Sequence, residues 1–169
     1  FAEAVWQACG NKNLTRQEFQ AAALVAAAIS LGIDKKNYRA SGIASFLQEA
    51  INYVAALPPR GSSNSEPDVL QAARKALDIV ANYRSDALER LRDSTGTSAD
   101  PTQAVPAAFA LVHKSESRFA AVSAAILGGE TSLIAAISSA IQGAVCGITM
   151  FYPNALDTIE RVSRPGVAP

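Results

Sequence analysis

Gly128-Gly129-Glu130-Thr131-Ser132-Leu133-Ile134-Ala135-Ala136-Ile137 is the stretch whose reading decides the fold. It lies inside a longer run of small and apolar residues, from Val122 to Gly147. Two glycines end one helix and permit a tight, left-handed turn. A carboxylate and two hydroxyls follow, and then an Ala/Ile run that favours helix. Such a helix start carries free N–H groups and the positive end of the helix dipole. It can hold a phosphate, or it can carry oxygen ligands for a hard metal ion. Read locally, Ser132 is the N-cap and Glu130 is a carboxylate favoured by the dipole.

Working outward, every other periodic segment is also helical. Thr15-Arg16-Gln17-Glu18 is a capping box, and an alanine-rich helix follows it to a stop at Gly32. Its apolar residues are Phe19, Leu24, Val25, Ala28, Ile29 and Leu31. A second helix runs from about Ala40 to Ala56, with Phe46, Leu47, Ala50, Ile51 and Val54 on one face. The 57–65 stretch is a surface loop by composition, and Ser65 caps the helix beyond it with Pro67 in its first turn. The mixed charges from Arg74 to Asp93 form a solvated face with helix-spaced ion pairs. Asp100-Pro101 is a cap followed by proline at the first helical position, and it starts a short helix through Val105, Phe109 and Leu111. Helices over Phe119–Leu127, Ser132–Cys146 and Pro153–Val162 complete the set, and residues 164–169 form a tail. No strand with a period of two is found. The expectation is therefore all-α, a compact orthogonal bundle of about seven helices in one domain over residues 1–163.

Composition excludes several functions. Fifteen basic and fifteen acidic residues cancel, and no basic cluster stands out, so neither nucleic acid nor an anionic surface is an expected partner. The Val122–Met150 run is apolar but interrupted by Gly, Ser, Thr, Gln and Glu, which fits a buried helix pair and not membrane insertion. Cys9 and Cys146 lack metal spacing and read as two free thiols in a reducing, intracellular compartment. His113, the one histidine, has no Cys, Asp or Ser set near it and reads as structural. Trp6 reads as a core or interface anchor. No triad, P-loop or dinucleotide fingerprint is present. Phe1–Trp6 looks like an element already under way, so a fragment, a processed chain or one piece of a larger fold is expected.

Three stretches together resemble the ADP-ribosylglycohydrolase family. They are the alanine-rich Ala21–Leu31, the segment Ala104-Val105-Pro106-Ala107-Ala108-Phe109-Ala110-Leu111, and the run from Ala124 through the GGETSL turn to Gly147. They occur in the family's order and spacing, and they cover the C-terminal half of its usual domain. The family pattern at the turn is GGDTDT followed by an Ala/Ile helix. The resemblance implies an all-α fold and two Mg²⁺ ions that hold ADP-ribose while an N-glycosidic bond is cleaved. Metal ligands in the family come from an N-terminal Asp-rich motif and from Asp, Asp and Thr of the turn. Here Glu130, Ser132 and Leu133 stand at those three positions, whereas Thr131 and the two glycines are retained.

These departures shape the functional expectation. Mg²⁺ demands near-ideal octahedral oxygen geometry. Glu130 adds a methylene, Ser132 removes a charge, and Leu133 removes a donor. Glu130 and Ser132 are thus vestigial metal positions, with Gly128, Gly129 and Thr131 as remnants of a substrate-binding turn. The leading expectation is a non-catalytic, structural or interaction module with no cofactor, whose partner is another protein or a second copy. The first alternative is an Mg²⁺-dependent ADP-ribosyl hydrolase completed by an N-terminal half on another chain. The second alternative is a helical subunit of a larger assembly.

Overall fold

The computed structural model describes residues 1–10, 13–34, 42–62, 68–83, 85–114, 120–147 and 153–163. Among them the chain forms α1 (Ala2–Ala8), α2 (Arg16–Asp34), α3 (Ile43–Ala55), α4 (Val69–Asn82), α5 (Ala87–Thr95), α6 (Pro101–Lys114), α7 (Ala120–Leu127), α8 (Thr131–Cys146) and α9 (Pro153–Ser163). The described residues include no strand. One isolated parallel bridge joins Thr15 to Ser62. The all-α reading therefore holds.

α6 organises the interior. Every residue from Ala104 to Val112 is buried. Val105, Phe109 and Val112, spaced four and three apart, face the core built by α2, α3 and the first half of α4. Ala104, Ala107, Ala108 and Leu111 face a second cluster with Ala76, Val80, Leu91, Leu127 and Ile134. Alanine on that second face lets α4 lie close, and among the described residues α4 and α6 share the most extensive helix interface. α8 bridges the two clusters, with Ile134 in one and Ile141 and Val145 in the other.

The helix signals read from sequence mostly operate as expected. Thr15 Oγ1 accepts from the Glu18 N–H at 3.2 Å, and Glu18 Oε2 accepts from the Thr15 N–H at 2.8 Å, so the capping box is closed in both directions. Asp100 Oδ1 accepts from the Thr102 N–H at 2.7 Å and starts α6. The loop after α3 is fastened to the start of α2. The Ser62 N–H donates to the Leu14 carbonyl at 3.0 Å, and the Arg16 N–H donates to the Ser62 carbonyl at 2.9 Å. Gly61, at φ +92°, is required there because a Cβ would lie 2.7 Å from the Thr15 carbonyl group. Arg60 pairs with Glu3 at 2.7 Å and holds α1 against this loop.

Several boundaries differ. Gly32 does not stop α2, which continues to Asp34 with Gly32 buried inside it. A Cβ at Gly32 would meet Val145 Cγ2 at 3.0 Å and Ala144 Cβ at 3.3 Å, so this glycine sets the distance between α2 and α8. The single charged segment after Pro67 is two helices, α4 and α5, and Phe1–Trp6 contributes most of α1, which raises the described total to nine. Asp68 caps α4 through the Leu70 N–H at 2.9 Å, while Ser65 and Pro67 lie outside the described residues. α6 is not short. It runs for 14 residues from Pro101 and carries Pro106 inside it. Pro106 lacks the N–H that would pair four residues back, and tertiary burial on both sides holds the helix through that gap. Ala40, Lys35–Asn37, Phe119 and the 164–169 tail lie outside the described residues.

Candidate functional site at the turn between α7 and α8

The turn is built from its backbone upward. Gly128 and Gly129 adopt φ +83° and +71°, both left-handed. The loop between α5 and α6 closes over them. The Glu130 N–H donates to the Thr97 carbonyl at 2.8 Å. A Cβ on Gly129 would lie 2.1 Å from Thr97 Oγ1 and 2.3 Å from its carbonyl oxygen, so only glycine fits beneath this strap. Arg92 completes the frame from α5. Its Nε donates to the Leu127 carbonyl at 2.8 Å, and its Nη2 donates to the Ile126 carbonyl at 2.9 Å. It thereby satisfies two carbonyls at the end of α7.

Glu130, not Ser132, is the N-cap residue of α8. Its carbonyl accepts from the Ile134 N–H at 3.0 Å, and its side chain makes no cap hydrogen bond. The strap at Thr97 pulls the backbone into the helix two residues earlier than the hydroxyl pattern predicts, which leaves Ser132 exposed within the first turn. Thr131 is half-buried, and its N–H donates back to the Gly129 carbonyl at 2.8 Å. Leu133 is 37% exposed and lines an apolar groove of about 460 Å³ with Val25, Ile29 and Ile137.

The turn offers one carboxylate and two hydroxyls, and the side chain at the next position is hydrocarbon. Among the described residues no three of His, Cys, Asp and Glu gather as a metal cluster. The residues that frame the turn, Arg92 and Thr97, were not singled out from sequence. Arg92 reads there as one more charge on a solvated face. No local pattern marks either one, because their partners are 30 or more positions away.

The remaining candidates stand apart from the turn. His113 is half-buried near the end of α6, its Nδ1 has no hydrogen-bond partner among the described residues, and burial holds its pKa below the ordinary 6.5. Cys9 and Cys146 are both free thiols, and partial burial pushes the Cys146 thiol upward from its usual range, away from the reactive thiolate. Trp6 packs edge-on against Phe19 at 5.7 Å and anchors α1 to the core. No helix among the described residues is long and apolar enough to cross a membrane.

An all-α array with a doubly left-handed glycine turn opening a small-residue helix is the class of scaffold these features define. The ADP-ribosylglycohydrolase profile matches residues 2–165, and the chain belongs to that family. Searches of curated proteins and of solved structures returned no match.

Proposed function

We propose that this chain is a non-catalytic ADP-ribosylglycohydrolase-like module with a structural or interaction role. The observation that carries the proposal is the donor set of the turn, where Ser132 and Leu133 replace an acidic and a hydroxyl ligand of the family pattern. Two-metal chemistry needs both ions held a few ångströms apart by charged oxygens. A lone Glu130 supplies one such group. The interaction role is supported by α7. Its residues are apolar on all sides apart from Ser123, yet Val122 and Ile126 are 52% and 62% exposed. A helix that is apolar all round normally belongs inside a protein, so we assign the outer face of α7 to a partner protein or a second copy.

A second reading, a hydrolase completed by a separate N-terminal half, is favoured by one feature. Glu130 is exposed at a helix start with its carboxylate outside any cap bond. The two readings separate in thermal melts with and without millimolar Mg²⁺. The proposal expects the same shift, or none, in the parent and in Glu130→Ala. A Mg²⁺-dependent rise in Tm that Glu130→Ala abolishes favours the hydrolase and contradicts the proposal.

A further inference from the structure

Three arginines from three separate elements line one small cavity beside the start of α2. Arg16 and Gln20, four residues apart on one face of α2, supply one wall. Arg60 enters from the loop after α3, and Arg74 from α4. The cavity measures about 110 Å³, and its apolar lining includes Phe19, Val54 and Leu70, all buried core residues. That volume is well below the roughly 300–1,000 Å³ of pockets that enclose drug-sized ligands, so the space suits a small molecule and not a nucleotide.

The polar groups around the cavity differ in what they already hold. Arg60 is fixed in place. Its Nη1 donates to Glu3 Oε2 at 2.7 Å, and its guanidinium carbon lies 6.0 Å from the centroid of the Trp6 ring. Arg74 spends only Nη2, on a long bond of 3.4 Å to Asn52 Oδ1. The Arg16 side chain has no hydrogen bond or ion pair among the described residues. Gln20 is the most telling of the four. It is 9% exposed and borders the cavity, yet its side-chain amide makes no hydrogen bond among the described residues. A buried amide is costly unless something accepts from it. Water can do so, but water leaves the charge of the guanidiniums uncompensated.

That charge selects the ligand. Among the described residues the carboxylates at hand are Glu3, which is taken by Arg60, and Asp68, whose Oδ1 accepts from the Leu70 N–H at 2.9 Å. Against three guanidiniums these two carboxylates leave one positive charge, which matches a monoanion better than a doubly charged phosphate. The planar fork of arginine pairs with carboxylate oxygens, and the hydrocarbon lining favours an apolar tail. We propose that this cavity binds a short aliphatic monocarboxylate. Its oxygens accept from Arg16, Arg74 and the Gln20 amide, and its tail lies against Phe19, Val54 and Leu70. Arg60, already engaged, adds charge. The site is built from residues other than those of the glycine turn, so the assignment is independent of whether that turn binds metal.

Butyrate is the probe, titrated into the isotope-labelled full chain at constant ionic strength and followed by NMR of side-chain amides and guanidiniums. The Gln20 amide and the Arg16 guanidinium are expected to shift together and to saturate with a Kd of about 1 mM or below. Butanol, which keeps the tail without the charge, and inorganic phosphate, which lacks the tail, are expected to bind at least about ten-fold more weakly. Arg16→Gln and Gln20→Met are expected to fold as the parent does and to weaken butyrate binding at least about five-fold each. Arg16 is exposed and unpaired among the described residues, so its variant reports on the site without disturbing the core. No saturable shift at Gln20, phosphate or butanol binding as tightly as butyrate, or a folded Arg16→Gln that binds butyrate as the parent does overturns the proposal.

Discussion

α6 and α7 are both alanine-rich helices with little polarity on any side, and the molecule treats them in opposite ways. α6 is enclosed by its own chain from Ala104 to Val112, with one core on each side. α7 buries only Ala120, Ala124 and Leu127 and turns Val122 and Ile126 to solvent. An all-round apolar surface is covered on both sides in α6, whereas in α7 the second covering surface is not supplied by the described residues. The contrast extends to the helix ends. α6 begins at an aspartate cap whose carboxylate is used, whereas α7 ends at a turn held from outside by Arg92 and Thr97.

The comparison is broken most forcefully at Phe109, which sits fully buried on α6. Phe109→Ala leaves a cavity facing α2 and α3 and is expected to cost about 3–5 kcal/mol in urea unfolding. A cost below about 1 kcal/mol would mean that α6 is not the central element described above. Gly129→Ala is expected to cost about 1–3 kcal/mol, because alanine resists the left-handed conformation and its methyl collides with Thr97. Gly128→Ala meets no neighbour within 4 Å and should cost less, only the conformational part. A reversed order would remove the strap at Thr97 from the account.

His113 sharpens the α6 side at smaller magnitude. Burial without a partner lowers its pKa in the folded protein, so the unfolded chain binds the proton more readily. Its contribution to stability is complete above the ordinary pKa of 6.5 and is lost as pH falls from there through the lowered folded value. His113→Gln should flatten that part of the stability profile. An unchanged slope assigns it to other groups. The smallest effect on folding is expected on the α7 side. Val122→Ser with Ile126→Ser should change stability by no more than about 0.5 kcal/mol, as exposed sites do. The same pair should abolish any concentration dependence of sedimentation shown by the parent. Association that survives both changes would move the interface off α7.

Much of the fold was legible in the sequence because its signals are local. The Thr15–Glu18 capping box, the Asp100-Pro101 start and the Gly128-Gly129 break each act within four residues, and each appears where its pattern places it. The misreadings share a different cause. Gly32 looks like a terminator, but it is a contact residue for Val145, more than a hundred positions away. Ser132 looks like a cap, but Thr97 draws Glu130 into that role. Arg92 looks like a surface charge, but it holds two carbonyls of α7. At the candidate site the backbone conformation of the glycines was readable, while the groups that frame it were not, because tertiary hydrogen bonds leave no periodicity in the chain.

Our central proposal is that the turn at Gly128 no longer assembles an oxygen cage for two divalent cations. Titration calorimetry of the full chain with Mg²⁺ and ADP-ribose, added together, addresses it directly. The account predicts heats no larger than dilution. A saturable isotherm with two magnesium ions and one ADP-ribose per chain would contradict it.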